Sequence, residues 1–269
     1  MIENFYFPIK ISLFKKRSGL SGHVINQEEG EGYYYDKLIK RNTSETGIRY
    51  EWYALQRCAN TYLAEFEKPK IIYSEIVSSP QFNVDFDGVY PDASVFIITG
   101  SNIKYLTALL NSKPVSYFFK TFYAGGELVG KYRYKKAFLQ NLPIPIPKEI
   151  IKSMFEIIVD YIVFIYSQVD SINIHVPNSH LIQLFEEVID AMVMELYFVK
   201  DFQNAGIEFM KYAKRDFKSL EQLKTEEEKI EVIHQAYQTL RQKDNEIRNN
   251  LKLMDIKLAD IVMPIKTAK

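Results

Sequence analysis

The sequence predicts an α+β fold, with a small mixed sheet in the first half of the chain and helices in the second half. β-branched and aromatic residues are concentrated between positions 70 and 99, whereas apolar residues at helical spacing dominate after position 147. An apolar fraction of 47% in 269 residues is enough to build a sizeable core. These observations favour a sheet-containing module followed by a helical region.

Three strands are predicted in the first half. Lys70–Ile76 is rich in β-branched and aromatic residues, and Phe82–Val89 alternates apolar and polar side chains as a half-buried strand does. Ser94–Thr99 is the third strand. A helix then begins at Asn102, breaks before Pro114 and resumes after it.

The helix break before Pro114 carries two short polar side chains, Asn111 and Ser112. An amide and a hydroxyl can satisfy the free carbonyl groups that a broken helix leaves behind. We therefore assign both residues a structural role.

Three prolines, Pro143, Pro145 and Pro147, predict a stiff extended link, because each proline fixes φ and removes a hydrogen-bond donor. We place a domain boundary at this link. The chain then divides into an unassigned lead-in at 1–32, a module at 33–147 and a helical region at 148–269.

The helical region is predicted to end in one long, coiled-coil-like helix. Its apolar stripe continues at 3–4 spacing without a slip, interrupted only by Asp244. One helix cannot bury such a stripe alone, so the stripe needs a partner helix in this chain or in another, and self-association stays open. The stripe consists of Ile230, Ile233, Tyr237, Leu240, Asp244, Ile247, Leu251, Met254, Leu258 and Ile261. Three helices are predicted before it, at Lys148–Gln168, His180–Phe198 and Val199–Leu220.

Charge is unevenly distributed, although the formal net charge is zero. Between positions 101 and 140, seven cations accompany one acid, Glu127, which gives this segment a net charge of +6. A neutral total with one basic segment suits a protein that touches nucleic acid on one face. The cations are Lys104, Lys113, Lys120, Lys131, Arg133, Lys135 and Lys136.

The densest part of this segment is the basic run, residues 131–136, in which Lys131, Arg133 and Lys135 alternate with two tyrosines and Lys136 follows. On a strand, this alternation places three cations on one face, where they could hold the phosphates of duplex DNA on a concave surface between the two halves. The alternative is an exposed edge strand that lysines keep soluble.

Other polar residues are candidates for DNA contact. Gln81 and Asn83 lie at the tip between two predicted strands, where they could read base edges or simply be ordinary turn residues. Arg57 could contact phosphate, or pair with Glu51 or Glu65. Arg41, Arg49 and Lys70 complete the set of candidate DNA-binding residues.

Catalytic motifs are not found in the sequence. It has no Asn/Asp-Pro-Pro-Tyr/Phe loop for a flipped adenine and no Gly-rich turn for a methyl donor. No acid-x-Lys pair of the kind that metal-dependent nucleases use lies shortly after Pro91-Asp92, and the later pairs Glu227-x-Lys229 and Asp255-x-Lys257 are interpreted as solvated helix faces. Cys58 stands alone, which excludes an internal disulfide and a cysteine-based zinc site. The histidines lack ligand spacing; they are His23, His175, His180 and His234.

A membrane location is not expected. Met1–Asn4 is not the start of a secretory signal, and the most apolar segment, Ile150–Tyr166, is short and interrupted by charges. We expect a cytoplasmic protein that binds no cofactor and no metal.

Several short motifs follow one another in an order shared with a known family. They are Leu38 with Arg41, Trp52–Arg57, Lys68–Ile72, Leu110–Ser112, Leu142–Pro145 and Ile189–Tyr197. Over roughly residues 33–200, the chain resembles the TaqI-like C-terminal specificity domain of DNA adenine methyltransferases and type IIG restriction–modification enzymes. The residues before Tyr33 depart from the usual lead-in of that family.

The resemblance implies a target-recognition domain that binds duplex DNA in the major groove and catalyses nothing itself. It also implies that the trailing helices dock against a methyltransferase or nuclease domain or subunit, like the helical regions of type I specificity subunits. The alternative is a non-DNA interaction or scaffold protein built on the heptad helix. A free-standing hydrolase is the least supported class, for want of a triad or metal cluster.

Overall fold

The computed structural model describes residues 4–6, 60–91, 95–123, 131–146, 148–173 and 175–268. Within these ranges the chain is an α+β protein in which helices follow two small sheets. This confirms the predicted fold class.

The strands form two antiparallel sheets. They are β1 (Asn4–Tyr6), β2 (Lys70–Ser74), β3 (Ile76–Val77), β4 (Phe82–Asp85), β5 (Val95–Thr99) and β6 (Tyr132–Arg133). The main sheet has the order β1-β5-β2-β4, and β3 pairs with β6 in a second, two-stranded sheet. A 3₁₀ helix, Asn60–Glu67, precedes β2.

The expectation of a mixed sheet is wrong for the described strands, because every pairing among them is antiparallel. Parallel neighbours need a crossover of about a dozen residues or more, and β2 and β4 are joined by a shorter segment. The predicted strand Phe82–Val89 ends at Asp85, and Lys70–Ile76 divides between β2 and β3.

Helices make up most of the remaining described residues. They are α1 (Ile103–Asn111), α2 (Lys113–Phe122), α3 (Lys136–Leu139), α4 (Glu149–Ser167), α5 (Asn178–Tyr197), α6 (Val199–Ala205), α7 (Met210–Asp216), α8 (Glu226–Arg241), α9 (Glu246–Lys257) and α10 (Ala259–Thr267).

The predicted helix Val199–Leu220 divides into α6 and α7 at Gly206. Gly206 has φ 68°, a left-handed conformation that glycine adopts readily and that commonly ends helices. Its backbone N–H and that of Ile207 donate to carbonyl oxygens of the last turn of α6. The chain can then turn back and pack α7 against α4.

The single long C-terminal helix is a wrong prediction, since three helices occupy that segment. Asn245 starts α9 by accepting a hydrogen bond from the backbone N–H of Arg248, and its amide donates to Asp216 on α7. Leu258, with φ −123°, separates α9 from α10. A polar cap anchored on another helix thus overrides a continuous apolar pattern.

The apolar stripe itself is real and is buried inside this chain. Ile233, Leu240, Ile247 and Met254 are at most 2% exposed, whereas Asp244 is exposed in the turn between α8 and α9. The stripe packs against α5 and α7 of the same chain. It therefore does not need a second copy for burial.

One continuous apolar core runs from β2 to α10 across the predicted boundary at residue 147. α1 packs against both β4 and α4, and α2 packs against α5. The domain boundary at 147 stays a prediction, and packing does not separate the two sides.

Candidate nucleic-acid interface

The basic run begins on β6, which pairs with β3 through Ile76↔Arg133 and Val77↔Tyr132. The side chains of Lys131, Arg133 and Lys135 are exposed, whereas the two tyrosines between them are partly or fully buried. The predicted alternation of faces is therefore present. The strand is short, because the chain enters α3 at Lys136.

A buried tyrosine fixes the orientation of this run. The ring of Tyr134 lies 5.1 Å from that of Phe82 and 4.3 Å from that of Phe119, between β4 and α2. Burial raises the pKa of the Tyr134 hydroxyl to about 12. Because Tyr134 is held inward, its neighbours Arg133 and Lys135 are turned outward.

Two of the exposed cations make weak interactions with neighbouring side chains. The guanidinium of Arg133 pairs with Glu75, with 2.9 Å between Nε and Oε1. Lys135 Nζ lies 6.0 Å from the centre of the Phe138 ring. Exposed pairs of this kind contribute little to stability, so an arriving phosphate can replace Glu75 at low cost.

Lys120 on α2 joins the basic run to the neighbouring surface, and the sequence reasoning did not single it out. Its Nζ lies 4.7 Å from the centre of the Tyr132 ring. The net charge of residues 101–140 was the available indication, since Lys120 contributes to it. Which of the seven cations share a surface could not be read from that count.

A cleft of about 680 Å³ separates β4 and α2 from α4, α5 and α10. Gln81, Asn83 and Lys120 line one side, and Glu186 and Glu187 line the α5 side. Removal from water, with Asp190 nearby, raises the pKa of Glu186, while Lys113 opposes that shift.

This cleft is not the basic concave surface that the sequence predicted between the two halves. Its lining includes Gln81 and Asn83 but none of the four cations of the basic run. The acidic α5 side would repel phosphate. The structure thus places the two predicted base readers and the predicted phosphate contacts on adjoining but different surfaces, with Lys120 between them.

Lys70 is a structural residue, which corrects its assignment as a DNA contact. Its side chain is 0% exposed, and its ammonium donates to Asp85 and, over 2.6 Å, to the carbonyl oxygen of Phe66. Asp85 in turn accepts from the backbone N–H groups of Asp87 and Val89. A phosphate cannot reach this ammonium without unfolding the edge of the sheet.

Asn111 and Ser112 have the predicted structural role. The Asn111 side chain donates to the carbonyl of Phe82 over 2.7 Å and accepts from the N–H of the same residue over 3.0 Å. Ser112 Oγ donates to the carbonyl oxygen of Leu109 over 2.7 Å. The side-chain amide of Asn111 therefore makes the two hydrogen bonds to Phe82 that a neighbouring strand would otherwise make at the edge of β4.

The helix joint, which we define as Asn111, Ser112, Lys113 and Asp190, connects α1, α2 and α5. Asp190 Oδ1 accepts from the backbone N–H of Lys113 over 2.7 Å, and its other oxygen lies 3.3 Å from Lys113 Nζ. Burial nevertheless raises the pKa of Asp190. The sequence places Asp190 in a motif but does not indicate this contact, because its partner lies 77 residues away.

The proline link is held from both sides. The hydroxyl of Tyr105 on α1 donates to the carbonyl of Pro145 over 3.1 Å, and that of Tyr197 on α5 donates to the carbonyl of Pro143 over 2.9 Å. Burial raises the pKa of Tyr197 to about 12. The motifs Leu142–Pro145 and Ile189–Tyr197, which are distant in sequence, are therefore in contact in the structure.

Three predicted contacts, Arg41, Arg49 and Arg57, lie outside the described residues, as do the motifs Leu38 with Arg41 and Trp52–Arg57. In the ranges that the structure describes, no group of three His, Cys, Asp or Glu side chains is arranged to hold a metal. No helix in those ranges is both long and apolar enough to cross a membrane.

Residues 21–144 match the family model of the TaqI-like C-terminal specificity domain. This confirms the resemblance and indicates DNA target recognition in a restriction–modification context. The match begins at residue 21, so the segment before Tyr33 departs less from the family than expected, and Ile189–Tyr197 lies beyond its end. No curated protein matches the chain.

Proposed function

We propose that this chain recognises a specific duplex DNA sequence as the specificity part of a restriction–modification or DNA adenine methyltransferase system. The chain itself catalyses nothing and uses no cofactor. A methyltransferase or nuclease, in another domain or subunit, performs the reaction, as in a type IIG or related system. The proposed setting is the cytoplasm.

The observation that carries the proposal is the outward face of the basic run, within a segment that matches a DNA specificity family. Lys131, Arg133 and Lys135 are exposed together because Tyr134 is anchored in the core. Such a face can hold phosphates and set the register of the protein on DNA. Gln81 and Asn83, exposed near β4 and beyond Lys120, are the proposed base readers.

The helical region is the proposed docking side for the catalytic partner. Leu253 and Ile256 on α9 and Met263 on α10 are exposed apolar residues, with Ile256 76% exposed. The alternative, a scaffold or self-association through one heptad helix, loses its main support because the helix is divided and its stripe is buried within the chain.

The test is a duplex titration by fluorescence anisotropy at several salt concentrations, with a pool of duplexes of random sequence. Neutralising three phosphates releases counterions, so a Lys131→Gln, Arg133→Gln, Lys135→Gln variant should bind all sequences more weakly. Its log–log salt slope should fall in magnitude by about 0.9 for each lost contact. Glu75→Gln, which removes the partner of Arg133, should strengthen binding.

The matched control is a triple variant with the same charge change on the helical region, at the exposed lysines Lys224, Lys243 and Lys252, each changed to Gln. It should keep nearly the full affinity and slope. Equal losses in both triple variants would reduce the effect to net charge and contradict the proposed face. A wild-type chain that binds no duplex at low salt would end the proposal altogether.

A further inference from the structure

A row of four aromatic side chains crosses the surface between the end of α2 and α3; we call it the aromatic ridge and define it as Phe118, Phe122, Tyr123 and Phe138. The rings of Phe118 and Phe122 are 4.6 Å apart, and those of Phe118 and Tyr123 are 6.0 Å apart. Tyr123 stacks on Phe138 at 5.6 Å. The function described above uses none of these rings.

Phe122, at the free end of the ridge, is 65% exposed, whereas the other three rings are partly buried. Phe122 is the last residue of α2, and the N–H of Tyr123 that follows it donates to the carbonyl of Phe119 over 2.8 Å. Phe118 supports the ring from one turn back on the helix. An apolar side chain that packs on Phe118 therefore projects into water.

The surroundings of the ridge are cationic. Lys135 lies over Phe138 at its other end. The described residues of α2, β6, α3 and the turns between β6 and the proline link contain no acidic side chain. Their cations are Lys120, Lys131, Lys135 and Lys136, together with Arg133, which pairs with Glu75, and Lys113, which pairs with Asp190 at the other end of α2. A polyanion matches this surface better than an ordinary protein partner, whose acids and bases are mixed.

We propose that Phe122 inserts between adjacent base pairs of bound DNA and locally unstacks them while the basic run holds the phosphates. This inference rests on the proposed function and adds a base-contacting residue to it. Apolar wedges of this kind kink a duplex at deformable steps, so a protein gains sequence preference at positions where it makes no hydrogen bond. Phe118 and Tyr123 act as positioning residues that keep the ring upright.

The experiment uses the full chain and a duplex sequence enriched from a random pool, with 2-aminopurine placed at successive positions. This base fluoresces more strongly when it is unstacked. Wild type should raise the fluorescence at one step only. Phe122→Ala should abolish the rise and weaken binding about tenfold or more, the range found when aromatic–base stacking is removed. Phe122→Leu, which keeps apolar bulk, should retain part of both effects, and Phe122→Trp should retain nearly all.

Phe86→Ala is the matched control, because Phe86 is also an exposed phenylalanine beside a lysine, Lys104, but lies outside the ridge. It should change neither readout. Thermal unfolding should be similar for all variants, since Phe122 is 65% exposed and Phe86 is 48% exposed.

The outcomes separate the two proposals. If Phe122→Ala leaves affinity and fluorescence unchanged while the basic-run triple variant loses affinity, the wedge is refuted and the DNA-binding face stands. If wild type does not bind duplex, both fail. If Phe122→Ala instead converts a self-associated chain to monomers in sedimentation, with duplex binding unchanged, the ridge is a protein contact and the wedge is again refuted.

Discussion

The helix joint and the basic run are both polar, both contain lysine, and both lie in or beside the family-matched segment, yet the fold uses them in opposite ways. At the joint, polar side chains form hydrogen bonds with backbone groups of the same chain; these side chains are Asn111, Ser112 and Asp190. On the basic run, Lys131 and Lys135 extend into water. The fold uses the polar groups of the joint internally and leaves the cations of the basic run accessible to solvent.

The largest effect is expected at Lys70, a buried cation that contrasts with the exposed cations of the basic run. Lys70→Ala should destabilise the chain by about 3–5 kcal/mol, because it leaves the Asp85 carboxylate buried without its partner. The measurement is urea unfolding followed by circular dichroism. Lys131→Ala, at an exposed lysine, is the control and should stay within about 0.5 kcal/mol of wild type.

The double variant Lys70→Met, Asp85→Asn should recover part of that loss, because it removes both charges together. A Lys70→Ala variant as stable as Lys131→Ala would contradict the buried pair and reopen Lys70 as a DNA contact.

Asp190 is the next largest test. Asp190→Ala should cost about 2–3 kcal/mol, since the backbone N–H of Lys113 loses its acceptor at the start of α2. Asp190→Asn keeps an acceptor and should cost less. Lys113→Met removes only a half-exposed ion pair and should cost under about 1 kcal/mol. Equal losses in all three variants would mean that the ion pair, rather than the backbone contact, holds the joint.

The same residue gives a pH dependence. Burial raises the folded-state pKa of Asp190, so its ionised form is disfavoured in the folded chain. Its contribution to stability is therefore most favourable below about pH 3.9, the ordinary aspartate pKa, and declines as pH rises through the raised folded pKa. Relative to Asp190→Asn, wild type should gain stability as pH falls from 7 toward 4. A difference in free energy of unfolding that stays constant with pH would contradict the raised pKa.

The smallest effect is expected at the proline link. Tyr197→Phe removes one hydrogen bond to the Pro143 carbonyl and should cost about 1 kcal/mol, and Tyr105→Phe should cost a similar amount at Pro145. Tyr166→Phe, at a tyrosine that is 69% exposed, is the control and should be neutral in the same unfolding experiment. If neither Tyr105→Phe nor Tyr197→Phe lowers stability, the link is held by packing alone.

Local patterns in the sequence determined much of this protein. Helical spacing predicted α4 and α5, and β-branched content predicted β2 and β5. The position of Asn111 and Ser112 before Pro114 predicted their structural role. The order of motifs indicated the resemblance to the specificity domain whose model matches residues 21–144. The strands, the helices and the role of the polar pair are readable because each depends on neighbours within a few residues. The resemblance depends instead on the order of motifs along the chain.

The tertiary structure alone decided which charges remain for a ligand. Nothing in the local sequence distinguishes Lys70 from Lys131. In the structure, Lys70 is buried in an ion pair with Asp85, whereas Lys131 is exposed beside β6. The continuous heptad stripe is divided because Asn245 finds Asp216 on another helix, a contact between residues 29 positions apart. The physical reason is the same in both cases. A buried polar group needs a hydrogen-bonding partner, and that partner can lie far away in the sequence, where no local pattern indicates it.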